Sequence, residues 1–214
     1  MVQSFIYPLL ERPDELARLG NWSAEFYQDL LAFQQGRLSE EAVRRKYCHT
    51  VAIMQLDMTG MTSSAVRNGP LVGLLRVLDA QKVCVPVLQG QGAGHIRAFA
   101  DDLTATFSTP AQALDAALEI HRRMEALNAA QPDPERRVSC CIGLGFGEVF
   151  AVGLDKAMGN EMYFASKLGE DTAKAGETLI TEAFQREVSH RADCRFERRT
   201  SEELPFPYFR VVPK

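Results

Sequence analysis

Apolar and polar positions change period along the chain. Up to residue 47 they recur at helical spacing: Pro13-Asp14-Glu15 opens a short helix that Gly20 closes, and Asn21 or Ser23 caps a second carrying Phe26, Leu30, Leu31 and Phe33. Ser39-Glu40-Glu41 starts a third with Val43 inward. From Thr50 the pattern becomes strand, Val51 to Leu56, and runs into Asp57-Met58-Thr59-Gly60-Met61-Thr62. Pro70 suits the first turn of a helix with a wide apolar stripe, Leu71, Val72, Leu74, Leu75, Val77 and Leu78. His95 to Phe107 alternates on both sides of a small acidic centre, the pattern of a β-hairpin with acids at its tip. Ser108-Thr109-Pro110 caps a helix through Leu127. Val138 to Phe146 and Glu148 to Val152 predict a second hairpin around Gly145 and Gly147. Gly159 to Lys174 predicts a helix stopped by Ala175-Gly176, and Thr178 to Ile180 and Tyr208 to Val212 predict strands. The order from Thr50 is βαββαββαβ, an α+β fold in which helices cover a mostly antiparallel sheet. Two parts are expected, a helical extension over residues 1–47, usual for packing or oligomerisation, and a domain over 48–214.

Composition narrows the function classes. With 214 residues and 46% apolar content the chain can bury a real core. Lys plus Arg is 24 against Asp plus Glu 28, a formal charge of −4, so the basic footprint of a nucleic-acid binder is missing and no nucleic-acid partner is expected. Leu71 to Leu78 and Val83 to Leu88 are interrupted by Gly73, Arg76, Asp79 and Lys82, far short of the roughly 20 apolar residues that cross a bilayer. Met1-Val2-Gln3-Ser4-Phe5 lacks a basic and a long apolar leader region, so a cytoplasmic protein without membrane contact is expected. The five cysteines form no CxxC or Cys/His cluster and fit reduced, mostly buried thiols. His95 and His121 read as partnered or solvent histidines, with no second His or Cys at metal-ligand spacing.

The chemistry concentrates in two strand-end carboxylates, Asp57 and Asp101. Hard cations take oxygen ligands and keep substrate phosphates as further ligands, so two carboxylates on neighbouring strands make a minimal two-metal phosphoryl-transfer site. The plainer alternative has Asp57 capping a helix and Asp101 sitting in a turn.

In this register the chain resembles the class III nucleotide cyclases. Asp57-Met58-Thr59-Gly60-Met61-Thr62 is similar to the family's first metal motif, and Arg97-Ala98-Phe99-Ala100-Asp101 to its Lys-x-x-Gly-Asp segment. Ile142-Gly143-Leu144 with Gly147-Glu148-Val149 resembles its Ile-Gly-Ile and Gly-x-Val hairpin, and Gly159 to Ala165, Leu168 and Gly176 to Ile180 its last helix and strand. The resemblance spans about residues 48 to 185 and implies a palm-like (ferredoxin-like) cyclase fold acting as a homodimer on a nucleoside triphosphate. It implies two Mg²⁺ or Mn²⁺ ions held by Asp57 and Asp101 with the carbonyl of Met58, and a triphosphate cradle of N–H groups from Thr59, Gly60, Met61 and Thr62. The helix with Tyr163 and Lys167 would come from the partner protomer.

Departures from the family pattern bear on the base. Arg97 stands where adenylate cyclases carry a base-reading Lys, Lys156 beside Asp155 where they carry an adenine-accepting Asp, and Tyr163 and Lys167 where the family has Asn and Arg. A guanidinium fork reaches further than an ammonium, as a small base requires. On these residues the chain resembles the pyrimidine cyclases of bacterial anti-phage defence, which implies UTP or CTP as substrate and a separate effector that reads the cyclic product. An adenylate cyclase and a catalytically silent cyclase-like dimer are the alternatives. A diguanylate cyclase is disfavoured because Phe99 and Ala100 replace two glycines of its hairpin.

Overall fold

A computed structural model describes residues 10–20, 22–153 and 156–214, with the side chains of Thr62, Val152, Lys156 and Ala157 outside the description. The chain divides into two compact units, residues 1–49 with 150–158 and residues 50–149 with 159–214.

The smaller unit holds α1 (Pro13–Leu19), α2 (Ala24–Gln34) and α3 (Glu40–Tyr47). Ser23 caps α2 by accepting the Phe26 N–H at 3.1 Å, while Asn21, the other candidate cap, lies outside the described residues. Ser39 caps α3 by accepting the Ala42 N–H at 3.2 Å. Phe26, Val43 and Tyr47 form its core, with Trp22 edge-on to Phe26 at a centroid distance of 5.4 Å and Tyr47 edge-on to Phe26 at 4.8 Å. Phe150 also packs on this cluster.

The larger unit is built on β1 (Cys48–Met58), α4 (Met61–Asn68), α5 (Pro70–Gly90), β2 (His95–Phe99), β3 (Asp102–Phe107), α6 (Pro110–Ala130) and β4 (Cys140–Gly153). A short strand β5 (Lys156–Met158), part of the smaller unit, follows β4, and the larger unit resumes with α7 (Asn160–Ser166), which continues as a wider π-type segment over Lys167–Thr172. The chain ends with β6 (Thr178–Thr181), α8 (Glu182–Val188), β7 (Cys194–Ser201) and β8 (Leu204–Pro213). The strand order is β2-β3-β1-β4-β6-β8-β7, with β5 on β4. β1/β3, β2/β3, β6/β8 and β7/β8 are antiparallel and β4/β6 is parallel, which makes this an α+β fold with a mostly antiparallel sheet.

Strand alternation splits the sheet into two unlike faces. Ala52, Met54, Leu56 and Met58 of β1, Leu103, Ala105 and Phe107 of β3, and Ile142 and Leu144 of β4 join Ala80, Cys84 and Leu88 of α5 and Leu114, Ala117 and Ile120 of α6 in the main core. On the opposite face β4 carries glycines against α7. A Cβ on Gly143 would lie 2.0 Å from the Ala165 carbonyl oxygen, and one on Gly145 2.6 Å from that of Glu161. These glycines exist for close backbone approach. The hairpin expected around Gly145 and Gly147 is therefore corrected: β4 runs straight through both residues to Gly153.

Three further elements depart from the pattern reading. α4 is a separate helix, broken from α5 at Gly69, whose φ of 86° is left-handed. α8 and β7 are present where no element is expected. β7, Cys-Arg-Phe-Glu-Arg-Arg-Thr-Ser, ends the sheet, and the charged residues that protect an edge strand erase its apolar alternation. Four cysteines, Cys84, Cys140, Cys141 and Cys194, are buried thiols and Cys48 is half-buried. His121 finds Thr178 Oγ1 at 3.0 Å, and the half-buried His95 has an Nε2 with no hydrogen-bond partner among the described residues.

Candidate functional site

The site lies at the end of β1 beside the β2–β3 hairpin. Asp57 faces Asp102 across the β1/β3 register, and Gln55 faces Thr104. Phe99 pairs with Asp102, so the hairpin turn is the two residues Ala100-Asp101, and Ala100 takes a left-handed φ of 50°. A Cβ in that region costs about 1–2 kcal/mol. The turn is anchored on β1 where the Met58 N–H donates to the Asp101 carbonyl at 3.2 Å. Asp57, Asp101 and Asp102 are thus gathered at one sheet end. Asp101 sits in the turn and Asp102 begins the strand.

Burial pushes the Asp57 carboxyl up to about 6, and the negative charges of Asp102, Asp101, Glu170 and Asp171 push it the same way. Burial and Asp101 also raise Asp102, with Arg97 opposing. Glu170 belongs to the segment after α7. It accepts the Gln55 amide N–H at 2.9 Å, while Gln55 Oε1 accepts the Thr104 hydroxyl at 2.8 Å. Gln55 and Thr104 are buried, so this chain of bonds sets where Glu170 stands. Gly169 makes the approach possible, since a Cβ there would meet the Gln55 carbonyl oxygen at 2.6 Å.

This donor set fits a hard divalent cation. Its groups are carboxylate and carbonyl oxygens, and a bound cation would offset the burial and the neighbouring negative charges that raise the Asp57 carboxyl. Among the described residues no three or more His, Cys, Asp or Glu side chains converge as ligands. Two carboxylates, the Met58 carbonyl, water and phosphate oxygens would therefore complete the shell, the usual manner of holding Mg²⁺.

After Met58 the chain turns through Gly60, left-handed at φ 70°, into α4. The first N–H groups of a helix have no partner within it, so Met61 and Thr62 offer donors at this end; the Thr62 side chain lies outside the described residues. Thr59 differs from its expected place in the cradle. Its N–H donates to the Ser139 carbonyl at 2.9 Å and its Oγ1 to the same oxygen at 3.3 Å, which ties the turn to the segment leading into β4.

Arg97 and Phe99 lie on the same sheet face as Thr104 and Asp102, with the guanidinium carbon 5.3 Å from the Phe99 ring centroid. Phe99 is 64% exposed, an aromatic ring open to solvent beside the carboxylates. Tyr163 on α7 is 53% exposed, and Lys167 four residues on is ion-paired with Asp171 at 2.6 Å. Lys156 and Asp155, weighed for base recognition, lie outside the described side chains. Gln55, Thr104 and Glu170 are absent from a sequence reading of the site. The signal that could find Gln55 is a polar residue inside an apolar strand two positions before Asp57, hence on its face.

No protein-family model matches the chain, and no curated protein matches it. Solved structures do. The catalytic core of a rhodopsin-guanylyl cyclase with converted specificity, in complex with ATPαS, is 16% identical, with 78% of this chain and 97% of that chain covered at a TM-score of 0.66. An adenylate/guanylate cyclase/hydrolase from Silicibacter pomeroyi is 22% identical over 78% of this chain and 98% of that one, TM-score 0.65. The adenylyl cyclase CyaB of P. aeruginosa is 16% identical over 78% and 95%, TM-score 0.66. The chain therefore has the fold of class III adenylyl and guanylyl cyclase catalytic domains.

Proposed function

We propose that the protein is a nucleotide cyclase that converts UTP or CTP to the 3′,5′-cyclic nucleotide and pyrophosphate as a homodimer. The observation that carries this reading is the strand-end grouping of Asp57 with the Asp101 turn, joined through the Met58 N–H, on a cyclase-type sheet. In the reaction the ribose 3′-oxygen loses its proton and attacks the α-phosphorus in line. The new P–O3′ bond forms as the bond to the bridging α,β-oxygen breaks, and pyrophosphate leaves. Asp57, Asp101 and the Met58 carbonyl would hold two Mg²⁺ or Mn²⁺ ions, which would supply activation of the attacking oxygen and neutralisation of charge at phosphorus. The N–H groups of Gly60 to Thr62 receive triphosphate oxygens. Arg97, backed by Phe99, reads the base edge with its guanidinium fork. Tyr163 and Lys167 act on the partner protomer's nucleotide, and the cyclic product serves as a second messenger of anti-phage defence read by a separate effector.

A second reading has a specific observation in its favour. Lys167 is engaged by Asp171, which suits a catalytically silent cyclase-like dimer as well as a catalyst that must release this lysine. One experiment separates the readings: incubate the purified protein with each of the four NTPs and Mn²⁺, and identify products by mass spectrometry. Cyclic UMP or CMP supports the proposal; cyclic AMP in excess moves the chain to the adenylate cyclases, and no product in any mixture leaves the silent dimer. Mixing Asp57→Ala and Lys167→Ala chains tests the shared site, since only heterodimers carry one intact set.

A further inference from the structure

A buried arginine sits behind the turn that follows Asp57. Arg76, on α5, interrupts the run Leu71 to Leu78 and is only 7% exposed. A guanidinium inside a protein must have its donors satisfied. Its Nη2 donates to the Thr59 carbonyl at 3.1 Å, its Nη1 to the Gly60 carbonyl at 3.0 Å, and its Nε to the Arg137 carbonyl at 3.2 Å. Asp79, one turn further along α5, is engaged by Arg136 and by Lys82 at 3.7 Å. The recorded bonds of Arg76 therefore go to main chain.

Two of those carbonyls are consecutive, and that decides what the contact does. In a planar trans peptide the C=O of one residue and the N–H of the next point in opposite directions. With the Thr59 and Gly60 carbonyls drawn toward α5, the N–H groups of Gly60 and Met61 are turned away from it. The left-handed Gly60 followed by the helical start of α4 is the backbone form that aligns successive N–H groups into an anion-binding concavity. The third bond, to Arg137, ties this turn to the segment whose Ser139 carbonyl receives the Thr59 N–H.

We infer that Arg76 is a positioning residue for the triphosphate cradle: its guanidinium sets the direction of the Gly60 and Met61 N–H groups that receive phosphate oxygens. This rests on the proposed reading only in taking that turn as the phosphate site. Arg76 reaches neither substrate nor reacting atoms and acts through two peptide units. A lysine keeps the charge but cannot hold three carbonyls in a fixed fork.

The test uses the full chain as wild type, Arg76→Lys and Arg76→Gln, with the exposed Arg122→Lys as control. Three quantities are measured: the thermal unfolding midpoint, calorimetric affinity for sodium tripolyphosphate with Mg²⁺, and KM against kcat for whichever NTP is turned over. Arg76→Lys is expected to unfold cooperatively near the wild-type midpoint yet bind tripolyphosphate about 10- to 100-fold more weakly, the scale on which small misplacement of a binding group is felt. KM should rise with it while kcat holds, and Arg122→Lys should match wild type. Folded Arg76→Lys with wild-type tripolyphosphate affinity overturns the inference, as does a wild type that binds no tripolyphosphate. If Arg76→Lys does not fold, Arg76→Gln is read in its place, and loss of folding in both makes Arg76 a folding residue and overturns the inference too. A wild type that binds tripolyphosphate but turns over none of the four NTPs removes the cyclase reading and leaves the role of Arg76 standing.

Discussion

The two faces of β1 are built from the same strand and differ in everything else. Met54, Leu56 and Met58 are at most 4% exposed and pack into the core shared with α5 and α6. One residue out of step, the opposite face passes from Ile53 at 0% exposure through Gln55 at 7% to the half-buried Asp57. Apolar burial contributes roughly 25 cal/mol per Å² on the first face, while on the second a buried amide and a crowded carboxylate cost free energy. The stabilising face thus supports the reactive one. On this second face, burial and the nearby acids push Asp57 up to about 6.

The largest expected effect breaks the reactive face alone. Asp57→Ala and Asp101→Ala should each abolish product formation, a loss of several kcal/mol of transition-state stabilisation, with circular dichroism and unfolding midpoint little changed. Asp102→Ala should be much milder, and an essential Asp102 with a dispensable Asp101 would shift the assignment by one residue. Leu56→Ala breaks the other face. It should lower the unfolding free energy by about 2–5 kcal/mol in urea denaturation, as deletion of a buried side chain does.

A titratable group on α6, one of the helices packed on the stabilising side of the sheet, sharpens the contrast. Burial lowers His121 from 6.5 to about 4. Between those pH values the unfolded chain binds the proton and the folded chain does not. The contribution is therefore present above pH 6.5 and lost as pH falls, about 3 kcal/mol by pH 4. Urea midpoints at pH 7.5 and pH 4.5 should diverge less in His121→Gln than in wild type.

The smallest effect tests selectivity on the reactive face. Arg97→Lys should lower turnover of the pyrimidine nucleotide by about 10- to 100-fold, roughly 1–3 kcal/mol, and leave ATP turnover unchanged or raised. A wild type that converts ATP faster than UTP or CTP sinks that assignment.

Much of this molecule was legible from local pattern. Helix starts at Pro13, Ser39, Pro70 and Pro110, the strand ending at Asp57 and the hairpin with Asp101 at its tip are all short-range signals, and the structure places each accordingly. Capping, period and turn chemistry act within a few residues, so the sequence by itself determines them. The same locality explains the failures. Gly145 and Gly147 read as a turn because their partner, Glu161 of α7, is distant in sequence, and β7 vanished because edge protection replaces alternation with charge.

What only the tertiary structure decided is the orientation of the site. Gln55 meets Glu170 across a separation of 115 residues, Arg76 meets the Gly60 carbonyl 16 residues back, and Asp57 owes its raised carboxyl to burial and to acids on two distant segments, Asp101 and Asp102 and Glu170 and Asp171. Each of these is an interaction whose strength depends on burial and distance in space. Neither quantity exists until the strands have paired and the helices have closed over them.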